Sequence, residues 1–223
     1  MSVIKHFITE SVKKAEVDEF LQKELENAGY GGIEITRTPL GTHIVVHASR
    51  PGVVIGRGGS NVKKLATILE EKFGFSNPQI SVAEIEIPEL NARVIASRIA
   101  AALTRGVHYR RSGYWALRKI MDAGALGAEI VISGKLRSQR HRYEKFQEGY
   151  LPKSGETATK YLREAVMHAQ LKPGVLGVKV QIMPPEAQFS DQVRIFEGKK
   201  LEKKAEHVER EAAAESEVEK GGM

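Results

Sequence analysis

A short glycine-rich turn carries the sharpest chemical signal in this sequence, in the stretch VIGRGG at residues 54–59. Glycine has no Cβ, so its backbone can approach a sugar-phosphate chain closely and tolerates positive φ. A helix capped by Ser60 or Asn61 is predicted to start directly after the turn, and its free N–H groups favour anions. The candidate contacts to a phosphate backbone are the loop residues and two lysines of the first helical turn: Gly56, Arg57, Gly58, Gly59, Lys63 and Lys64.

The context of this turn separates the kinds of loop that it resembles. A bare tight turn between two helices is the plainest alternative. A Walker phosphate loop is excluded because Gly-x-x-x-x-Gly-Lys-Ser/Thr is not present, and no dinucleotide fingerprint Gly-x-Gly-x-x-Gly can be drawn here. A KH RNA-binding module has a Gly-x-x-Gly loop that clamps about four nucleotides. The sequence favours this module, because the turn follows an apolar stretch, contains Arg57 and opens an amphipathic helix.

Basic residues are concentrated between residues 93 and 145, although the whole chain has a net charge of only +6. The segment contains twelve Lys/Arg, nine of them arginine, against Asp122, Glu129 and Glu144, and its net charge is +9. An exposed helix face with internal ion pairs is the alternative, but the nearby acids are too few to pair with. A polyanion partner is therefore predicted. Its candidate contacts in the second half of the chain are Arg110, Arg111, Arg118, Lys135, Arg137, Arg140 and Arg142.

The elements that must position the glycine turn are predicted to form an α+β unit over residues 1–106. Helical spacing, strand alternation and turn residues define these elements. In chain order they are a helix over 11–28, a β-hairpin around PLG at 39–41, the turn itself, a helix over 60–73, a strand over 80–87 and a helix over 91–105. With the apolar stretch 53–55 before the turn taken as a short helix, the order is αββααβα, and Gly106 marks the joint to the next unit.

A second α/β unit is predicted over residues 107–197, and it carries the arginine-dense segment. Its elements are a helix over 110–123, a strand over 128–133, a helix over 157–169 and a strand over 178–182. Residues 135–145 show no clear periodicity and stay unassigned, while Trp115 is expected to pack in the core. Residues 198–223 are rich in Lys and Glu and poor in apolar residues, which is typical of a frayed helix or disordered tail.

Several classes of site find no support in the sequence. The chain has no cysteine, which excludes disulfides and thiolate metal sites and makes the reducing cytosol the default compartment. No apolar run approaches the ~20 residues of a membrane span, and no signal peptide is recognisable. His43 and His47 share a strand face but lack a third ligand, so no metal is expected. No arrangement of catalytic residues can be argued, so no cofactor and no small-molecule substrate are expected.

Five short stretches, in a specific order and spacing, carry a family resemblance. They are ELENAGYGG at 24–32, IGRGG at 55–59, YRR at 109–111, VISGKLR at 131–137 and GVLGVKV at 174–180. Singly each is weak, but together they cover nearly the whole chain, from residue 15 to about 185. With these stretches the chain resembles the universal family of the third protein of the small ribosomal subunit, in its archaeal and eukaryotic form.

The resemblance implies an N-terminal type II KH domain, a C-terminal α/β two-layer domain and a non-enzymatic role in the head of the small ribosomal subunit. It further implies a cytoplasmic, ribosome-bound chain that contacts small-subunit ribosomal RNA, messenger RNA at its entrance and neighbouring head proteins. In bacterial relatives an Arg-Arg pair and a third basic residue one turn later help to open structured messages. The pair matches Arg110 and Arg111, whereas Tyr114 stands at the third position and Arg118 lies one turn beyond it.

Two alternatives come from other functional classes. A free-standing KH regulator would bind short single strands by itself, whereas a ribosomal protein should sediment with the small subunit. A nuclease or lyase acting on nucleic acid should show turnover that a single carboxylate or lysine substitution abolishes. These behaviours distinguish the three hypotheses.

Overall fold

The computed structural model describes residues 3–38, 41–187 and 189, and it confirms the α+β class with two separate sheets. The chain divides into a unit of residues 1–187 and another of residues 188–223. The tail predicted at 198–223 therefore lies outside the described residues. Within the described part of the chain, no helix is both long enough and apolar enough to cross a bilayer.

The first half of the chain follows the predicted order αββααβα. Its elements are α1 (Val3–Glu24), β1 (Tyr30–Thr38), β2 (Gly41–Ala48), α2 (Pro51–Ile55), α3 (Ser60–Phe73), β3 (Gln79–Glu84) and α4 (Ala92–Thr104). The sheet has the order β1-β2-β3, with β1 antiparallel to β2 and β2 parallel to β3. A parallel pair needs a crossover connection, and α2 and α3 supply it. The glycine turn lies within this crossover.

The first core forms because one side of each element is apolar. Strand β2 alternates, so Ile44, Val46 and Ala48 are all buried while the residues between them are not. Helices α1 and α3 cover this side of the sheet with residues at helical spacing, including Leu21 and Leu69. This packing fixes α3, and with it the direction in which the helix start faces.

The second half of the chain builds a four-stranded antiparallel sheet. Its elements are α5 (Tyr109–Asp122), β4 (Gly127–Gly134), β5 (Arg142–Gly149), α6 (Glu156–Tyr161), β6 (Arg163–Leu171) and β7 (Gly174–Met183). The strand order is β5-β4-β7-β6. Alternating apolar residues of β4 and β7, such as Ile130 and Val180, are fully buried beneath α4 and α5. The result is a helical layer on one sheet.

Helix α4 belongs to the second core by its packing, although the sequence places it before the joint at Gly106. Its residues Ile95, Ile99 and Leu103 are buried in the same cluster as β4 and β7. Asn91 caps the helix, because its Oδ1 accepts from the N–H groups of Arg93 and Val94 at 3.0 and 3.4 Å. The division of the chain at residue 106 remains a prediction.

The helix predicted over residues 157–169 is correct only as far as Tyr161 and wrong beyond it. The structure has the short helix α6 followed by strand β6, whose buried residues Ala165 and Ala169 are separated by four positions. That spacing fits a strand as well as a helix, and the pairing with β7 decides for the strand. The two residues Lys172 and Pro173 close a tight hairpin to β7, which satisfies the backbone of β6. The unassigned residues 135–145 lead into β5.

Candidate nucleic-acid interface

The glycine turn has the left-handed backbone that its composition predicts. Gly56, Gly58 and Gly59 have φ values of +71°, +61° and +75°. A Cβ on Gly56 would lie 2.7 Å from the Asn61 side chain, so this glycine is also required by packing. Gly58 and Gly59 face open space, where an added Cβ would meet no atom within 4 Å. An extended ligand can therefore approach the backbone of these two residues directly.

No side chain caps the start of α3, so the predicted cap is wrong. Gly59 stands at the cap position without a side-chain hydrogen bond. The Asn61 side chain turns back instead, and its Nδ2 donates to the Val53 carbonyl at 3.1 Å. The Ser60 N–H donates to the Arg57 carbonyl, and no side chain occupies this end of α3, so the positive end of its helix dipole still favours an anion. Arg57, Lys63 and Lys64 are exposed around this helix start.

The two consecutive arginines of α5 face different neighbours, because successive helical residues point about 100° apart. The Arg110 guanidinium donates twice to Glu144 on β5, from Nε to Oε2 and from the terminal nitrogen to Oε1, each at 3.1 Å. These hydrogen bonds from Arg110 hold the pKa of Glu144 below its usual range and raise that of Arg110. Arg111 points toward α4 and makes no side-chain hydrogen bond or ion pair with any described residue. The charge of Arg110 is compensated within the fold, whereas that of Arg111 is not.

A small polar network continues from Glu144. The Tyr109 hydroxyl donates to Glu144 Oε1 at 2.9 Å and accepts from Arg137 Nε at 3.1 Å. This network brings Arg110 and Arg137 together at the junction of α5 and β5. Of the other predicted contacts, Lys135 donates to the Pro173 carbonyl at 3.1 Å. The remaining three are exposed on α5 and at the start of β5: Arg118, Arg140 and Arg142.

Four of the twelve basic residues between 93 and 145 form ion pairs within the described chain. They are Arg93 with Asp18, Arg98 with Glu89, Arg110 with Glu144 and Lys145 with Glu129. The other eight form no direct ion pair among the described residues, and of these Arg137 lies near Glu144 through Tyr109: Arg105, Arg111, Arg118, Lys119, Lys135, Arg137, Arg140 and Arg142. Most of the positive charge of this segment is therefore not neutralised by the described fold, which favours an external polyanion.

Glu129 is buried, with only 7% of the residue exposed. The alternation of apolar residues in β4 predicts the opposite, an exposed side chain. Lys145 and Lys153 lie 2.9 and 3.0 Å from its carboxylate. Burial opposes the charged form and is the largest single effect on its pKa. The hydrogen bonds from the two lysines together outweigh burial and lower the pKa of Glu129. Lys145 is thus a structural residue rather than a candidate contact.

Trp115 is not in the core, so that prediction is wrong. The buried residues of α5 occupy one side of the helix: Tyr109, Ser112, Gly113, Ala116, Leu117 and Ile120. Trp115 falls outside that side and is 45% exposed. Tyr114 is also exposed, and its ring meets Phe146 edge-on at 5.0 Å between centroids. A helical projection of residues 109–122 gives the same answer, so the signal was available in the sequence.

The two histidines of β2 have partners within the sheet. His43 Nε2 lies 2.8 Å from Ser81 Oγ, and His47 Nε2 lies 3.3 Å from a Glu34 carboxylate oxygen. Across the described ranges, no group of three or more His, Cys, Asp or Glu is arranged to hold a metal ion. These contacts explain both side chains without a ligand.

The site is divided between two groups of residues on different elements. The glycine turn, with its uncapped helix start, lies in the crossover of the first sheet. The arginines lie on α5 and at β5, in the half of the chain that forms the second sheet. Sequence reasoning missed Glu144 as a partner of Arg110, because β5 was not predicted. Glu144 is the only acid in residues 135–145, and this was the signal in the sequence that could have identified it.

Comparison with known proteins assigns a family to each half. The KH domain model matches residues 16–90, and the model of the ribosomal protein S3 C-terminal domain matches residues 99–182. A protein of Methanobrevibacter smithii is 52% identical over 86% of this chain and 77% of its own length. A protein of Saccharolobus solfataricus is 47% identical over 88% of this chain and 85% of its own length. Both are named small ribosomal subunit protein uS3.

Proposed function

The chain belongs to the uS3 family of small-ribosomal-subunit proteins, and from this we propose that it binds ribosomal RNA in the subunit head and lines the messenger RNA entry site. Its role is structural, and we propose no catalytic step for it. The names of the relatives indicate the small ribosomal subunit as the assembly. The RNA contacts are inferred from the residues of this chain. The observation that carries the inference is the set of eight basic side chains that form no direct ion pair among the described residues.

The glycine turn supports a phosphate-binding role for the first half of the chain. Open space above Gly58 and Gly59 admits a backbone, and the positive end of the α3 dipole lies beside it. Arg57, Lys63 and Lys64 supply the charge. Such contacts position a nucleic acid without reading its bases. We assign this turn to ribosomal RNA, which a constitutive member of the subunit contacts permanently.

The α5–β5 surface supports the messenger RNA contact. Arg111 is free to meet a phosphate, while Arg110 must first exchange Glu144 for one. Arg118 follows at the next turns of α5, and Arg137, Arg140 and Arg142 lie along the approach to β5. Arginine forks suit phosphates that pass along such a surface. The chain would be bound to ribosomes in the cytoplasm, beside other proteins of the subunit head.

Cross-linking within purified small subunits tests this division of contacts. Subunits carrying the full chain are irradiated with and without a bound message, and cross-linked peptides and nucleotides are identified. The proposal expects peptides of the glycine turn on ribosomal RNA in both samples, and peptides of α5 on the message only when it is present. Cross-links of α5 to protein alone, in both samples, would exclude the messenger contact.

A further inference from the structure

A groove of about 920 Å³ lies between α4, α5 and the segment that links β2 to α2. We propose that this groove binds an unpaired segment of single-stranded RNA, an inference that rests on the RNA-binding role proposed above. It adds to the predicted contacts the side chains of Arg50, Arg105 and Trp115, which all line the groove. Its volume lies at the upper end of the range of about 300–1,000 Å³ for ligand pockets. A strand segment therefore has room to enter.

The charge of the groove is suited to phosphates. Four arginines and one acid, Glu26, are among its lining residues. Arg98 is paired with Glu89 at 3.1 Å, and Arg105 donates from Nε to its own helix carbonyl at 3.2 Å. Arg50 and Arg111 make no side-chain hydrogen bond or ion pair with any described residue. Two uncompensated guanidinium groups on one concave surface attract a polyanion.

The groove also offers a surface for bases. The half-exposed indole of Trp115 lies on its rim, beside Arg111 one helical turn earlier. Ala101 and Ala102 add a small apolar part to its lining. An aromatic ring beside cationic groups is the arrangement on which single-stranded nucleic acids stack their bases.

An acidic peptide is the competing occupant for a basic groove. Extended peptides commonly bind by adding a strand to an exposed sheet edge. The lining residues here belong to helices and connecting turns, so they present no strand edge. The apolar alanines of the lining and the exposed indole suit a nucleobase better than a carboxylate side chain. The geometry therefore favours RNA.

Trp115 is the single tryptophan of the chain, so its fluorescence reports directly on the groove. The full-length protein is titrated with an unlabelled uridine pentanucleotide. We expect saturable quenching of Trp115, because a stacked base quenches the indole. Binding of the same oligonucleotide without quenching, or quenching by an aspartate-rich peptide alone, would overturn the proposal.

Variants measured with a fluorescein-labelled pentanucleotide give the contribution of each group. Trp115→Ala and Arg111→Ala should each weaken binding about tenfold, as expected for one stacked base or one lost charge contact, and Trp115→Phe should recover most of it. The matched controls are Phe7→Ala on α1 and Arg163→Ala on β6, both exposed. Equal losses in controls and groove variants would contradict a specific site.

Failure of this proposal can be told apart from failure of the proposed function. An Arg57→Ala variant that weakens pentanucleotide binding, while the groove variants do not, would leave RNA binding at the glycine turn intact and exclude the groove. A photoreactive benzoylphenylalanine at position 115, in small subunits, then identifies the RNA. Cross-links to ribosomal RNA or to an added message both support the groove, and cross-links to protein alone overturn it.

Discussion

At the residue scale, the two adjacent arginines of α5 are unequal. Arg110 is held in a bidentate pair by Glu144, and Arg111 has no partner within the described chain. The sequence places both in one basic motif and gives no reason to separate them. Only the presence of β5 beside α5 does so, because it brings Glu144 within reach of one of the two. The proposed messenger contact therefore depends first on Arg111.

The first prediction concerns this asymmetry. Arg111→Ala should slow initiation on messages with a hairpin at the entry site more than Arg110→Ala does. The reason is that the Arg110 guanidinium is already hydrogen-bonded to Glu144. Initiation rates on a hairpin message and on an unstructured message are compared for each variant. Equal rates on the two messages in the Arg111 variant would exclude a role in opening structure.

The second prediction removes the partner of Arg110. Glu144→Gln should free Arg110 and add one phosphate contact. The slope of log affinity against log salt concentration for single-stranded RNA then becomes steeper by about 0.7. Glu148→Gln is the matched control, since it removes the same charge from an exposed position of β5. The same change of slope in both variants would show an effect of net charge alone.

The third prediction follows from the lowered pKa of Glu129. A folded-state pKa below the ordinary 4.5 means that the carboxylate stabilises the fold above pH 4.5. This stabilisation is lost as pH falls through the folded-state pKa. Glu129→Gln should lower the free energy of unfolding at pH 7 and flatten its decline below pH 4.5, as measured by urea titration. Glu16→Gln on the exposed side of α1 should change neither.

At the element scale, the contact between α5 and β5 positions the arginine surface. Gly113 lies against the Phe146 ring, where an added Cβ would be 2.7 Å from two ring carbons. No residue larger than glycine fits there unless the helix and the strand separate. This close approach keeps Glu144 within hydrogen-bonding distance of Arg110.

The fourth prediction tests that contact. Gly113→Ala should destabilise the protein by about 1–3 kcal/mol through overpacking, and Phe146→Leu in the same chain should recover part of the loss. Urea unfolding measures both. Gly52→Ala is the control, because an added Cβ there meets no atom within 4 Å. A loss as large in the control would point to backbone effects rather than to the ring contact.

Helices and strands with a full apolar period were predictable from the sequence, and short elements were not. Helix α3 and strand β7 repeat their apolar residues over several turns or alternations, so their type was correct. Strand β6 shows Ala165 and Ala169 at a spacing that two periods share, and only its pairing with β7 decides between them. The exposure of Trp115 was decidable from the helix period. The pairing of Arg110 with Glu144 could not be predicted from the sequence, because it depends on strand β5, which was not predicted.

At the scale of the whole molecule, α4 joins the two sheets. Its buried residues belong to the second core, while Asn91 at its cap also donates to the Gly31 carbonyl at 3.3 Å. Arg93 reaches Asp18 on α1, at 2.6 Å. The helix is thus held by both halves, although sequence order alone assigns it to the first.

The fifth prediction follows for fragments of the chain. A fragment of residues 1–106 would expose Ile95, Ile99 and Leu103, which need the second sheet for burial. It should therefore bind a hydrophobic dye and aggregate more than a fragment of residues 1–90. Dye fluorescence and light scattering at equal concentration decide the matter. A monomeric 1–106 fragment that binds no dye would support the boundary at residue 106.

Sedimentation of a cell lysate through sucrose gradients, in low and in high salt, tests the central claim that this chain is an RNA-anchored component of the small subunit. Contacts that are embedded in ribosomal RNA withstand salt better than a peripheral electrostatic association. The account predicts that the chain stays with the small subunit in high salt. A chain that runs free, or that leaves intact subunits as salt rises, would contradict it and favour a free-standing RNA-binding regulator.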